Sequence, residues 1–299
     1  MKSKIRIRQL YFLLIMVFLF SCSENQNNSK INTNYGENTL NGQFLEVNGS
    51  KIYFETYGDR ADQPLILIHG NGGSIEAMSL QIDFFKEFYY VIVADNRTHG
   101  KSGGAANITY DLMAQDYIGI IDELNIDSVY VLGHSDGGIV GLLLAINYPN
   151  RIGKLVAAVP NLVPGEEAIE AWELEFSKGY RELIDSMILL NDQSRNWQIE
   201  RIHMNLMRDE PNITISDLSK INCPVLVITS DDDIIKPRHI LQIYENIPNA
   251  QLFIMPGATH FMIRDEHELY NSMCNRFLSN PFSRPSSKDA LMDIIGLTK

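Results

Sequence analysis

The residues Gly133-His134-Ser135-Asp136-Gly137 follow the apolar run Val129-Tyr130-Val131-Leu132 and precede a second apolar stretch, Gly138-Ile139-Val140-Gly141-Leu142-Leu143-Leu144-Ala145-Ile146. This order constrains the fold more than any other feature of the chain. The first run has the length and the β-branched content of a strand. The second is apolar nearly all round, as a helix buried against a sheet must be. A strand that turns into such a helix within five residues needs glycine on both sides of the turn, because neighbouring backbone passes too close for a side chain. The same turn lifts the Ser135 hydroxyl clear of the backbone.

The rest of the chain repeats the alternation of strand and helix. Residues 42–47 and 51–57 read as a hairpin around Asn48-Gly49, a pair suited to positive backbone angles. Further strands are predicted at 64–69, 89–95, 128–133, 154–160, 224–230 and 251–256. Their content, such as Leu65-Ile66-Leu67-Ile68 and Val225-Leu226-Val227-Ile228, is continuous rather than alternating. Strands covered on both faces read this way, which predicts an α/β fold with a mostly parallel, twisted sheet flanked by helices. The alternation breaks once. Between Pro160 and Pro224 there are only helical stretches, at 166–178, 180–190 and 196–207. An insertion there, at about 161–222 after the sixth strand, is expected to form a helical lid; its rival reading is extra packing with no role at the site. Its Trp172, Phe176, Tyr180, Met187, Leu189, Trp197, Met204 and Met207 fall at helical spacing and read first as lid packing, hinting only weakly at an apolar substrate portion.

The N-terminus is a separate matter. Lys2, Lys4, Arg6 and Arg8 precede an unbroken apolar run at 10–20, too short to span a bilayer comfortably and suited to the core of a signal peptide. The run ends in Leu19-Phe20-Ser21-Cys22, which resembles a bacterial lipobox. That resemblance implies a signal peptide over 1–21, a lipid on Cys22 and a membrane-tethered protein of the cell envelope; cleavage without lipid and an uncleaved anchor are the alternatives. Residues 22–42 read as a flexible polar tether, 43–279 as the folded domain, and 280–299 as a tail with a short amphipathic run. The formal net charge of −12 argues against a nucleic-acid partner, which needs basic surface to neutralise phosphates. Cys223 and Cys274 read as buried thiols rather than as a disulfide.

Ser135 needs a base within hydrogen-bond reach and a third group to hold that base. Among seven histidines, His260 stands out, in Gly257-Ala258-Thr259-His260-Phe261 straight after the last predicted strand. His134, inside the turn, is expected to point away from the nucleophile. His69 and His99 read as shaping loops at the same sheet edge, and His203, His239 and His267 as solvated faces of polar helices. The acid should come from Asp231-Asp232-Asp233, just beyond the strand at 224–230, and spacing alone does not choose among the three. The loop His69-Gly70-Asn71-Gly72-Gly73 could expose amides to a developing oxyanion. It lacks a Gly-x-Gly-x-x-Gly pattern, and Gly100-Lys101-Ser102 lacks the glycine that a nucleotide loop requires five residues before Gly100, where Asp95 stands. No His-rich or Cys-rich ligand cluster is present, so no metal or cofactor is expected.

Taken in order, His69-Gly70, Asp95-Asn96-Arg97-Thr98-His99-Gly100-Lys101-Ser102, the Gly133–Gly137 turn and Gly257-Ala258-Thr259-His260-Phe261 resemble the motifs of the α/β-hydrolase superfamily over about residues 43–279. The resemblance implies Ser135 as nucleophile, His260 as base, and the amides of Asn71 and Asp136 as oxyanion donors. It also selects Asp233 as the acid, with Pro237 four residues on. Two departures stand out: Ser230 and Thr98 occupy positions where the family has glycine, and neither is expected to touch a catalytic atom. The implied activity is hydrolysis of a small carboxylic ester with an apolar portion. Cleavage of a carbon–carbon bond, a lactone or an amide on the same triad is the alternative, and a weakly active ligand-binding module is an alternative of another class.

Overall fold

The computed structural model describes residues 34–104 and 108–296. The signal segment, Cys22 and the first part of the expected tether lie outside the described residues. The hairpin forms as β1 (Gly42–Val47) and β2 (Ser50–Tyr57), with Asn48 and Gly49 at φ 48° and 71°. Then come β3 (Pro64–Ile68), a 3-10 turn at Ile75–Met78, α1 (Ser79–Phe85), β4 (Tyr90–Ala94) and α2 (Tyr110–Glu123). The central unit is β5 (Val129–His134), α3 (Asp136–Asn147) and β6 (Ile152–Ala158). Two helices, α4 (Ala171–Leu189) and α5 (Trp197–Asp209), separate β6 from β7 (Val225–Asp232). The chain continues through α6 (Pro237–Asn246), β8 (Ala250–Thr259), α7 (Met262–Asp265), α8 (His267–Ser279) and α9 (Ser287–Ile294).

The eight strands form one sheet in the order β1-β2-β4-β3-β5-β6-β7-β8. β2 lies antiparallel to β1 and to β4, and every other pairing is parallel. The continuous apolar runs divide by their period of two. Ile66 and Ile68 face a core shared with α2, α3 and α6, while Leu65 and Leu67 face a second core with α1 and α8. Val225 with Val227, and Leu226 with Ile228, split in the same way. This double burial is why the strands are apolar throughout. Strand order reverses between β3 and β5, so the loop after β3 lies beside the turn after β5. Ligands bind at such switch points, outside the carboxyl ends of the strands.

Some expectations needed correction. The stretches at 166–178 and 180–190 are one helix, α4, that begins later and runs straight through Gly179; a single glycine costs only about 1 kcal/mol in a helix interior. Residues 34–41, expected in the tether, dock on the sheet edge. There buried Glu55 accepts hydrogen bonds from the amides of Gly36 and Asn38 and the hydroxyls of Tyr53 and Tyr57. The helical insertion has a small core of its own, in which Ile184, Trp197 and Met204 pack with Tyr180, Met187 and Met207. Trp172, by contrast, is 60% exposed. Cys223 and Cys274 are free and buried. Among the described residues no helix is long and apolar enough to cross a membrane.

Candidate active site

The turn after β5 is as tight as its glycines imply. A Cβ on Gly133 would meet the Gly137 carbonyl oxygen at 2.0 Å, and one on Gly137 would meet the Ile68 oxygen at 2.1 Å. Ser135 sits at φ +57°, pinned by its amide to Ala158 O (2.9 Å) and by its carbonyl to the amide of Gly138 (2.8 Å). Among the described residues, the other positive-φ positions without glycine are Asn48, Asn125, Asn191, Thr98 and Val159. Asparagine tolerates this region, whereas β-branched Thr98 and Val159 are outliers whose strain costs about 1–3 kcal/mol each. Thr98, Ser135 and Val159 all follow the carboxyl ends of strands, where ligands bind in such folds.

His260 reaches Ser135 from the far side of β6. Its Nε2 lies 3.1 Å from Ser135 Oγ, and its Nδ1 lies 2.8 Å from Asp233 Oδ1. The sheet register explains the second contact. β7 and β8 run further than the sequence suggests and pair Asp232 with Thr259, so the next residues, Asp233 and His260, leave the ladder side by side. Asp233 is buried, whereas Asp231 and Asp232 are exposed, and Asp231 serves the turn by accepting from the Gly257 amide. Burial alone would raise the Asp233 pKa. The hydrogen bond and charge of His260, the Ile235 amide and the Ser230 hydroxyl outweigh it and hold the carboxyl below its ordinary value. An imidazole oriented by a carboxylate and bonded to a half-exposed hydroxyl can take that hydroxyl's proton and return it to a leaving group.

Ser230 corrects the sequence reading, since its Oγ donates to Asp233 Oδ2 at 2.9 Å. A family glycine could not supply this bond. The loop after β3 is equally constrained. Asn71 Nδ2 donates to Asp136 Oδ2 (2.9 Å), tying the loop to the residue after Ser135. The Asp136 amide opens α3, where the helix offers it no acceptor. Burial pushes the Asp136 carboxyl up to about 6 against the hydrogen bonds of Asn71 and Tyr110. His69 and His99 hold the neighbouring loops through ring nitrogens that accept the amides of Asn96 (3.0 Å) and Gly72 (3.1 Å). His134 turns from Ser135 and bonds the His260 carbonyl through Nε2 at 2.8 Å, so that Nε2 carries the proton.

Two residues at this edge escaped the sequence reading. His203 on α5 is 7% exposed, not solvated, and stacks on His99 at 3.8 Å between centroids. Ile199 and Leu206, at i−4 and i+3, mark its face as the covered one. Glu173 on α4 is the other. The segment before α4 is stitched to the turn after Asp233: the Glu170 amide donates to Ile234 O (2.9 Å) and the Lys236 amide to Ala168 O (2.8 Å). That stitching carries the first turn of α4 toward Asp233. Burial raises the Glu173 pKa, opposed by the Ser177 hydroxyl and by the charge of His260. His239 also proves buried, its Nε2 accepting the Leu162 amide at 3.0 Å, while His267 is part-exposed. Among the described residues no group of three or more His, Cys, Asp or Glu side chains could hold a metal ion.

The fold is the α/β-hydrolase fold, and comparison with known proteins agrees. The model of the family described as alpha/beta hydrolase fold matches residues 63–187. The chain is 27% identical over 256 residues to "Putative carbamate hydrolase RutD" of Caulobacter sp. (strain K31), covering 76% of this chain and 96% of that protein. It is 24% identical over 248 residues to the serine hydrolase BPHL of Homo sapiens, covering 78% and 85%. The solved structure of the enol-lactonase from Burkholderia xenovorans LB400 superposes with a TM-score of 0.67 at 20% identity, over 80% of this chain and all of that one. The chain is an enzyme of the α/β-hydrolase fold, similar over most of its length to proteins named as hydrolases.

Proposed function

We propose that the protein is a serine hydrolase that cleaves a small carboxylic ester through an acyl-enzyme. Ser135 Oγ attacks the carbonyl carbon as His260 Nε2 takes its proton, and Asp233 holds the imidazole and balances its charge. The amides of Asn71 and Asp136 receive the oxyanion. The bond to the leaving alcohol breaks as Nε2 returns the proton to it, and water then releases the acid by the same route. The observation that carries this reading is the unbroken line from Ser135 Oγ through the imidazole to Asp233, 3.1 and 2.8 Å. The α4–α5 insertion is proposed to act as a lid that admits the apolar portion of the substrate.

The test is labelling with a fluorophosphonate probe together with turnover of a chromogenic short-chain ester. Wild type should take up probe and turn over ester, and Ser135→Ala should do neither while its thermal midpoint stays within a few degrees. Undiminished turnover by the Ala variant would overturn the mechanism. The envelope location is proposed from the lipobox alone. Intact mass of membrane-extracted protein should carry an acylated Cys22, and Cys22→Ser should release the protein from the membrane fraction.

A further inference from the structure

Thr98 stands where family members have glycine and keeps a backbone that favours glycine, φ +67°. Its side chain has a partner that glycine would lack: Thr98 Oγ1 and His203 Nε2 are 2.9 Å apart. His203 comes from α5 of the insertion, and its ring lies flat on His99, at 3.8 Å and 9°. The other neighbour of His99 is His69, at 5.2 Å and tilted. The ring edges of His99 are also committed. Nδ1 bonds the Arg97 carbonyl at 3.0 Å, which places the proton there and leaves Nε2 as the acceptor for the Gly72 amide at 3.1 Å. Gly72 follows Asn71, whose side chain grips Asp136. A continuous set of contacts, buried at His203 and His99, therefore runs from the insertion to the loop that carries one proposed oxyanion donor.

We propose that His203, braced by Thr98, is a positioning residue that aims the Gly70–Gly73 loop at the developing oxyanion through His99. The inference rests on the acyl-transfer reading for its catalytic consequence, though not for the coupling itself. Without the His203 face, one side of the His99 ring loses its packing, and only the two edge bonds are left to keep Nε2 aimed at the Gly72 amide. The insertion then acts on the chemical step, where oxyanion donors matter, and not only on substrate capture. A plain packing role predicts something different: lower stability or weaker substrate binding, with the chemical step untouched.

The experiment uses the full chain with His203→Ala, His203→Phe, His99→Ala and the double variant His203→Ala/His99→Ala. Losing a whole oxyanion donor costs a factor of about 100–1000 in kcat, so misaiming one should cost about tenfold in His203→Ala, with KM changed less than about twofold. His203→Phe keeps a flat ring on His99 and should retain most of kcat. The double variant should be no slower than His99→Ala alone, because both act through one amide. The Gly72 amide proton resonance should move in His203→Ala and stay near its wild-type position in His203→Phe. A raised KM with unchanged kcat, multiplicative losses in the double variant, or a Gly72 resonance unmoved in His203→Ala would each overturn the proposal. If His203→Ala does not fold, Thr98→Gly carries the test: a Gly72 resonance and kcat both unchanged in Thr98→Gly would overturn the proposal. The resonance reads the coupling without turnover, so its failure is distinct from a failure of Ser135-dependent labelling.

Discussion

At the scale of single residues, Asp233 is held by more than His260. Asp233 Oδ1 accepts from His260 and from the Ile235 amide, and Oδ2 accepts from Ser230. Ser230→Ala deletes a hydrogen bond to a charged group in a site that retains its other donors. About 1 kcal/mol of transition-state stabilisation should go, roughly a fivefold fall in kcat with little change in KM, measured on the chromogenic ester. Asp136 behaves in the opposite sense to Asp233, because burial lifts its pKa to about 6. The folded state therefore binds a proton that the unfolded chain has released, and stability falls as pH rises from about 4 through about 6. Asp136→Asn has no such dependence. Relative to wild type it should gain roughly 2–3 kcal/mol between pH 4 and pH 7 in urea unfolding. An equal response at both pH values would show that the carboxyl is not desolvated.

Among the elements, α8 depends on a lysine from the sheet. Lys154 Nζ donates to the carbonyls of Leu278 and Asn280 (both 2.7 Å) and Phe277 (3.2 Å), capping the end of the helix where its dipole is negative. Lys154→Met leaves these acceptors without their cation. It should cost about 2 kcal/mol in urea unfolding, with amide exchange speeding first at the end of α8. The insertion shows how far element-level patterning can be read. The helical stretches were visible in the sequence, yet Gly179 suggested a break that α4 does not make; the residues that follow it, Tyr180, Ile184 and Met187, pack with Trp197 and Met204 of α5. His203 and His239 read as solvated because each sits in a polar helix. Their burial comes from loops that arrive from elsewhere in the chain, which local patterning cannot report.

For the whole molecule, neutral buried histidines set the response to acid. Burial lowers the pKa of His69 to about 4, of His134 to about 3 and of His99 to about 2, and it lowers those of His203 and His239 as well. Each remains neutral in the folded state while the unfolded chain takes up a proton below the ordinary value of 6.5. Their contribution is fully present above that value and is lost as pH falls toward the folded pKa values. Asp95, Asp116, Asp136, Glu173 and Glu210, whose carboxyl pKa values burial raises, oppose this at the acid end, Asp136 up to about 6. Stability should therefore fall by several kcal/mol from pH 7 to pH 5, with net proton uptake on unfolding in calorimetry at pH 6. A flat profile would mean that these imidazoles are hydrated.

The sequence by itself determined the layered α/β architecture, because unbroken apolar strands have no other way to bury both faces. It also determined the turn at Ser135, because Gly133 and Gly137 stand where backbone leaves no room for a Cβ. His260 was legible from its place after the last strand. Asp233 was not separable from Asp231 and Asp232 by spacing and was singled out only by resemblance. Its burial follows from the Asp232–Thr259 register, a property of two strands brought together. The tertiary structure alone decided the support around the triad: Ser230 on Asp233, His134 on the His260 carbonyl, and His203 on His99. Those contacts join residues up to 126 positions apart, and their energies depend on burial and on angles fixed only when the sheet and the insertion have packed.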